Sequence, residues 1–197
     1  MEEKRIYEVK TLGELLWKTS MYIRYGYVRY VLRTIPSGKD PEQIATKLIL
    51  HYDITYNRDI RKQRRKKGQA NVVLLCLGHQ FLLLATNGEQ PEFEKIDSLE
   101  FSVNPLQFSG YSIGVKQGKP YIQMTSRRFR GIKKTLSWMA VHDHNRVTRY
   151  MKEISPFSFK GVSDQRWKLI KLVNQKRKKA GLSRIRWSDI SKSANQD

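Results

Sequence analysis

The sequence predicts an α+β fold: an antiparallel sheet with N-terminal helices and a basic C-terminal helical subdomain. Three observations point there. Two apolar runs of strand length, residues 72–77 and 81–85, flank Gly78-His79 and read as a hairpin buried on both faces. A second pair of runs, residues 111–115 and 120–125, turns around Gln117-Gly118-Lys119. From Ser126 onward, apolar residues recur at helical spacing. The expected division is a sheet domain over residues 1–125 and a basic helical subdomain over 126–197, packed on it or extending from it.

Along the chain, Thr11 precedes Leu12 and stands three residues before Glu14, the pattern of a capping box. Leu12, Leu15, Leu16 and residues 21–23 then give a helix its apolar stripe until Gly26 interrupts it. Residues 27–35 alternate apolar with basic or polar side chains, as a strand does, and Pro36-Ser37-Gly38 turns the chain. Asp40 caps the next helix, with Pro41 at its first position and Ile44, Leu48 and Ile49 on its apolar face. A weaker strand pattern covers residues 99–103. In the C-terminal third, Ile132, Leu136 and Met139 mark one helix, and residues 145–154 mark another that Pro156 ends. A third is expected to be capped by Ser163, to turn Trp167, Leu169, Ile170 and Val173 to one broad apolar face, and to stop at Gly181-Leu182. There is no internal repeat and no low-complexity tract.

Charge narrows the function classes. The chain of 197 residues carries 38 Lys+Arg against 18 Asp+Glu, a formal net charge of +20. Residues 1–125 hold 19 basic and 13 acidic side chains, whereas residues 126–197 hold 19 and 5. Two blocks are dense: residues 58–67, and Lys176-Arg177-Lys178-Lys179 followed by Arg184 and Arg186. Like charges this close repel one another, and a polyanion relieves that repulsion while releasing its own counterions. Nucleic acid is therefore the expected partner class. An acidic stretch at residues 89–100 is a candidate internal competitor, whose deletion would then tighten binding. No apolar run approaches the ~18–20 residues of a membrane span, and Met1-Glu2-Glu3-Lys4-Arg5 lacks the form of a secretory signal. Cys76 is the only cysteine, which excludes an intrachain disulfide and a cysteine-based zinc site. A cytoplasmic, non-membrane protein is expected.

The expected nucleic-acid contacts are Arg58, Arg61, Lys62, Arg64, Arg65, Lys66 and Lys67 in the first block, and Lys176, Arg177, Lys178, Lys179, Arg184 and Arg186 in the second. Aromatic residues are interleaved with cations in Arg127-Arg128-Phe129-Arg130 and in Arg184-Ile185-Arg186-Trp187, so that Arg127, Arg128, Arg130 and Trp187 join the set. In such runs cations meet phosphates while exposed rings stack on unpaired bases. The run from Tyr22 to Tyr30 admits two readings, a stacking surface or core rings with outward cations. The helix from Ser163 to Gly181 could enter a major groove, but its cations gather in the last turn, which suits phosphate contact better than base readout.

Catalytic patterns are sparse. His142-Asp143-His144 with Tyr150 resembles the metal-binding histidine pair and nucleophilic tyrosine of single-strand nicking enzymes. In that family the central residue is hydrophobic and the motif lies on a strand. Here Asp143 and Asn145 have the character of turn and cap residues between two helices. Carboxylates for a Mg²⁺ nuclease are Asp40, Glu42, Asp53 and Asp59, or Glu92, Glu94 and Asp97, and Glu8-Val9-Lys10 has an E-x-K spacing without a companion aspartate. Cys76 reads as a buried thiol, His79 as a solvent-facing turn residue and His51 as a partner of a helix end. No phosphate-binding loop or dinucleotide fingerprint occurs. The leading reading is a non-catalytic DNA- or RNA-binding protein without a cofactor, suited to a mobile-element or ribonucleoprotein assembly. The alternatives are a nicking or strand-transfer enzyme using His142, His144 and Tyr150 with Mg²⁺ or another divalent metal, and a basic module for an acidic protein partner.

Overall fold

A computed structural model describes residues 7–190; the opening residues 1–5, examined above for a targeting signal, lie outside them. The fold is α+β with antiparallel sheets. The chain forms two compact units, one running up to Leu106 and including Ile113–Pro120, the other comprising Gln107–Ser112 and the chain from Tyr121 onward.

In the first unit, α1 (Leu12–Arg24) starts where the Thr11 hydroxyl accepts from the Glu14 N–H at 3.1 Å. The Glu14 carboxylate reaches back to the Lys10 N–H at 2.8 Å, one residue earlier than a reciprocal capping box places it. Strand β1 (Tyr27–Thr34) follows, then α2 (Pro41–His51), whose Asp40 cap accepts from the Glu42 N–H at 2.9 Å. A helix that no apolar stripe announces, α3 (Arg58–Lys66), carries the first basic block. Next come β2 (Val72–Leu77), β3 (Gln80–Thr86), the one-turn α4 (Pro91–Glu94) and β4 (Leu99–Glu100). The sheet order is β2-β3-β1-β4, with β2 and β3 in register from Val72 opposite Ala85 to Leu77 opposite Gln80.

Alternation along these strands sorts the core. Val31, Val72, Leu74, Cys76, Leu83 and Ala85 cluster with Ala45 of α2, Tyr52, Ile54 and Phe93. Residues of opposite parity, Val73, Leu75, Leu82 and Leu84, are equally buried, and α1, whose Leu15 and Leu16 are also buried, packs on β1 and β2. β4 is shorter than the 99–103 pattern predicts. The Val103 and Asn104 N–H groups both turn back to the Glu100 carbonyl, at 3.2 and 2.7 Å, while Phe101 drops into the core.

A second sheet, in the order β5-β6-β7, consists of β5 (Leu106–Phe108), β6 (Tyr111–Lys116) and β7 (Lys119–Met124). Three-residue β5 falls below the length at which alternation is readable. Gln117 and Gly118 both take positive φ (52° and 70°), the backbone of a tight two-residue hairpin turn.

In the second unit, α5 (Ser126–Met139) begins at the Thr125 cap, and α6 (His144–Glu153) at Asp143, whose carboxylate accepts from the Arg146 N–H at 3.0 Å. α7 (Lys160–Lys179) starts three residues before the expected Ser163 cap. Its first turn has no side-chain cap and is seated by packing on β7 instead. A Cβ on Gly161 would lie 2.4 Å from the Ile122 carbonyl oxygen. Gln165 one turn on clasps Met124, accepting from its N–H at 2.7 Å and donating to its carbonyl at 3.0 Å. The far end is a Schellman motif: Gly181 takes φ +70°, and the Leu182 N–H reaches the Arg177 carbonyl at 2.9 Å. Residues 182–190 then return as a strap along α7, ending in the short α8 (Trp187–Ile190).

Candidate nucleic-acid interface

α3 is a helix for reasons confined to its ends. Asn57 accepts from the Asp59 and Ile60 N–H groups at 2.9 and 3.2 Å, Asp59 sits in the first turn, and Arg64, Arg65 and Lys66 sit in the last, the order that suits the helix dipole. None of its residues is buried. It is held to the unit by two of its own arginines and one backbone carbonyl. Arg64 donates to the Asp53 carbonyl at 2.7 Å and pairs with the Asp53 carboxylate. Arg61 donates to the Tyr56 carbonyl at 3.3 Å, and its own carbonyl accepts from the buried Asn71 side chain at 3.0 Å.

The seven cations of the block are therefore not equivalent. Arg61 and Arg64 are anchors. Arg58, Lys62, Arg65 and Lys66, at spacings of four, three and one, share one helical face and line an open concavity of about 690 Å³ together with Asp59. Those four and Lys67 are exposed, and none forms an ion pair among the described residues.

The acidic stretch does not cover this face through its side chains. The backbone of Glu89 bridges Gly68 and Ala70 just after α3, at 2.9 and 3.0 Å. Glu92 holds His51 at 3.4 Å and Lys95 at 2.7 Å, which keeps its carboxylate below the usual range, chiefly through the Lys95 hydrogen bond. Phe93, between the two glutamates, is fully buried. Deleting the stretch would remove core along with charge and cannot test competition.

The second basic block is also divided. Lys178, Lys179, Arg184 and Arg186 are exposed and Lys176 is half-buried, but Arg177 is 2% exposed. Its guanidinium donates to the carbonyls of Ala140 and His142, each at 3.0 Å, and of Ser183 at 2.6 Å. It ties the loop between α5 and α6 to the strap and is withdrawn from any phosphate. In the third group, Arg127 and Arg130 are exposed, while Arg128 lies over the Tyr111 ring at 4.7 Å and donates to the Ile154 carbonyl at 2.9 Å.

The strap is pinned along its length. The Asn174 side chain both donates to the Ile185 carbonyl and accepts from its N–H, each at 2.8 Å, and Arg166 donates to the Ile190 carbonyl at 3.1 Å. Ile185 and Ile190 are buried, so Arg184 and Arg186 alternate outward. Burial also lowers the Arg166 pKa from its ordinary value. Trp187 stacks on Trp167 with centroids 4.6 Å apart and planes 10° apart. Trp167 itself, expected on the apolar face, is 46% exposed. At 100° per residue it lies outside the arc of Arg166, Leu169, Ile170, Val173 and Arg177 and beside Lys171 and Lys178. That wheel was available from sequence; an indole among apolar residues outweighed it. Sequence reasoning also missed Lys133, Lys168 and Lys171, which rim a groove of about 310 Å³ floored by Phe129, Leu169 and Leu172, and exposed Trp138, with Arg146 5.9 Å from its ring. These lysines stand singly in sequence, so no charge run marks them.

The groups proposed for catalysis have different neighbours. The His142 ring packs on Trp138, 4.5 Å between centroids, while His144 faces the Asp189 carboxylate at 3.6 Å. Tyr150 makes no hydrogen bond or ring contact with either histidine among the described residues. No group of three or more His, Cys, Asp or Glu side chains able to hold a metal occurs among the described residues. Glu92 and Glu94, two of the candidate Mg²⁺ carboxylates, lie on a single helical turn. Cys76 is buried, which pushes its thiol up to about 12, and His79 is exposed. Of the tyrosine run, Tyr27 and Tyr30 are core, Tyr25 is exposed, and Arg29 is folded over Phe93 at 5.3 Å. No described helix is long and apolar enough to cross a membrane. Comparison finds no protein family, curated protein or solved structure that matches the chain.

Proposed function

We propose that this chain binds nucleic acid through the phosphate backbone, without cutting it, and that the free face of α3 is a principal contact. One observation carries this reading. Arg58, Lys62, Arg65 and Lys66 stand together on a helix with no buried residue, around an open concavity, and none of them forms an ion pair with a carboxylate among the described residues. A surface needed only for solubility gains nothing from concentrating unpaired cations on one face, since neighbouring like charges on a helix destabilise it by a few tenths of a kcal/mol per pair. A phosphate backbone reverses the sign of that energy and adds counterion release. The exposed cations of the strap and the end of α7, Lys178, Lys179, Arg184 and Arg186, supply a second phosphate-binding surface.

The test replaces Arg58, Lys62, Arg65 and Lys66 together by Gln and measures binding to duplex DNA, single-stranded DNA and hairpin RNA across a salt series with Mg²⁺ present. Each lost phosphate contact on duplex lowers the log K against log salt slope by about 0.9, so four lower it by about 3–4. Unchanged affinity and slope in the variant would refute the reading, as would failure of the native chain to bind any of the three forms. Cleaved products on a denaturing gel would refute the non-catalytic part and return attention to His142, His144 and Tyr150.

A further inference from the structure

We infer that the exposed face of Trp167 is a stacking site for an unpaired base, so that the nucleic acid bound at the second unit is single-stranded where it meets α7. This rests on the proposed function and sharpens its substrate class. The indole is neither a stray surface aromatic nor part of the core. It is 46% exposed, and one of its faces is backed by Trp187 in a near-parallel stack, 4.6 Å and 10°. Offset stacking of this kind is the arrangement a base continues most readily, because a flat π-face meets a flat π-face.

The platform is built in advance. Trp187 cannot drift, since the strap that carries it is fixed at Ile185 by both polar atoms of Asn174 and at Ile190 by Arg166, with both isoleucines buried. A base landing on Trp167 therefore meets a surface whose ordering cost is already met by folding. Cations line the approach. Lys171 lies one turn along α7 on the same side as Trp167, about 6 Å up the axis, and Lys178 continues that row. Arg184 and Arg186 project from the strap on either side of the pinned Ile185. Among the described residues, the carboxylates that α7 and the strap carry are engaged elsewhere: Asp164 accepts from the Tyr121 hydroxyl at 3.2 Å, and Asp189 faces His144 and the Arg186 N–H. Duplex DNA presents its bases edge-on in the grooves, so an indole face flanked by cations selects for strands whose bases are free.

The experiment compares the native chain, Trp167→Ala and the α3 quadruple variant, binding an oligothymidylate and a duplex of equal length. Trp167→Ala is expected to lose about 5- to 150-fold in affinity for oligothymidylate, the equivalent of ~1–3 kcal/mol per stacked base, with duplex affinity unchanged. Lys171→Gln should lower the single-strand salt slope by about 0.7. If Trp167→Ala binds oligothymidylate as tightly as the native chain, or loses both forms equally, the stacking site is overturned. The two ideas fail separately: if the native chain binds neither form, the proposed function falls. If the α3 variant loses binding while Trp167→Ala loses none, only the stacking site falls.

Discussion

Replacing Arg177 by Met tests whether a residue in the middle of a basic run is structural. Arg177 is 2% exposed, and its guanidinium donates to three carbonyls, those of Ala140, His142 and Ser183. A hydrogen bond involving a charged group contributes about 1.5–3 kcal/mol, and bonds that share one donor group do not add independently. Met fills much of the volume but takes the donor from three carbonyls, of which that of Ala140 is buried and those of His142 and Ser183 are partly buried. The expected loss is ~3–5 kcal/mol, more than one such bond contributes and less than three independent ones would. With a urea slope of roughly 2 kcal/mol/M, the unfolding midpoint falls by about 2 M. Tryptophan fluorescence is the suitable probe, because Trp138, Trp167 and Trp187 belong to the second unit and only Trp17 to the first. Lys178→Met, one residue along and exposed, should stay within ~0.5 kcal/mol of the native protein. A midpoint shift for Arg177→Met no larger than that of Lys178→Met would refute the argument.

Two further outcomes are expected. Gly161→Ala forces a methyl to within 2.4 Å of the Ile122 carbonyl oxygen and 2.7 Å of the Tyr121 ring, so the first turn of α7 must lift; a loss of at least ~1–3 kcal/mol in thermal or urea unfolding is expected, and a neutral substitution would show that the turn is not seated there. Cys76 stays a thiol when folded, up to about 12, but ionises at its ordinary value of 9.0 when unfolded. Its contribution is therefore complete below pH 9 and lost as pH rises toward 12. Cys76→Ala should flatten that alkaline decline in urea midpoints, and an unaltered decline would contradict it.

The legible parts of the fold were those where burial writes a period into the chain. The 72–77 and 81–85 runs, the Thr11 and Asp40 caps and the Gln117-Gly118 turn all appear as expected, because apolar alternation, small acceptor side chains and turn residues act locally. α3 escaped because a helix whose one apolar residue is Ile60 has no stripe; only Asn57 and the order of its charges speak for it. The start of α7 escaped because tertiary packing at Gly161 and Gln165 replaces the cap that Ser163 suggests. At the candidate interface, sequence located the basic blocks but could not rank their members. Whether an arginine faces phosphate or a carbonyl depends on partners far along the chain: Arg64 on Asp53, Arg177 on Ala140, Arg128 on Ile154.

The bareness of α3 gives ionic strength two opposing roles. Arg58 and Lys62, Lys62 and Lys66, and Lys62 and Arg65 are neighbours at spacings where like charges strain the helix, and no buried side chain compensates. Added salt shortens the reach of that repulsion and firms the free helix. The same salt weakens the attraction of the face for a polyanion. Under the proposed function, the unbound segment is thus best ordered under the conditions in which it binds least, and contact with a polyanion at low salt relaxes the tension along the helix.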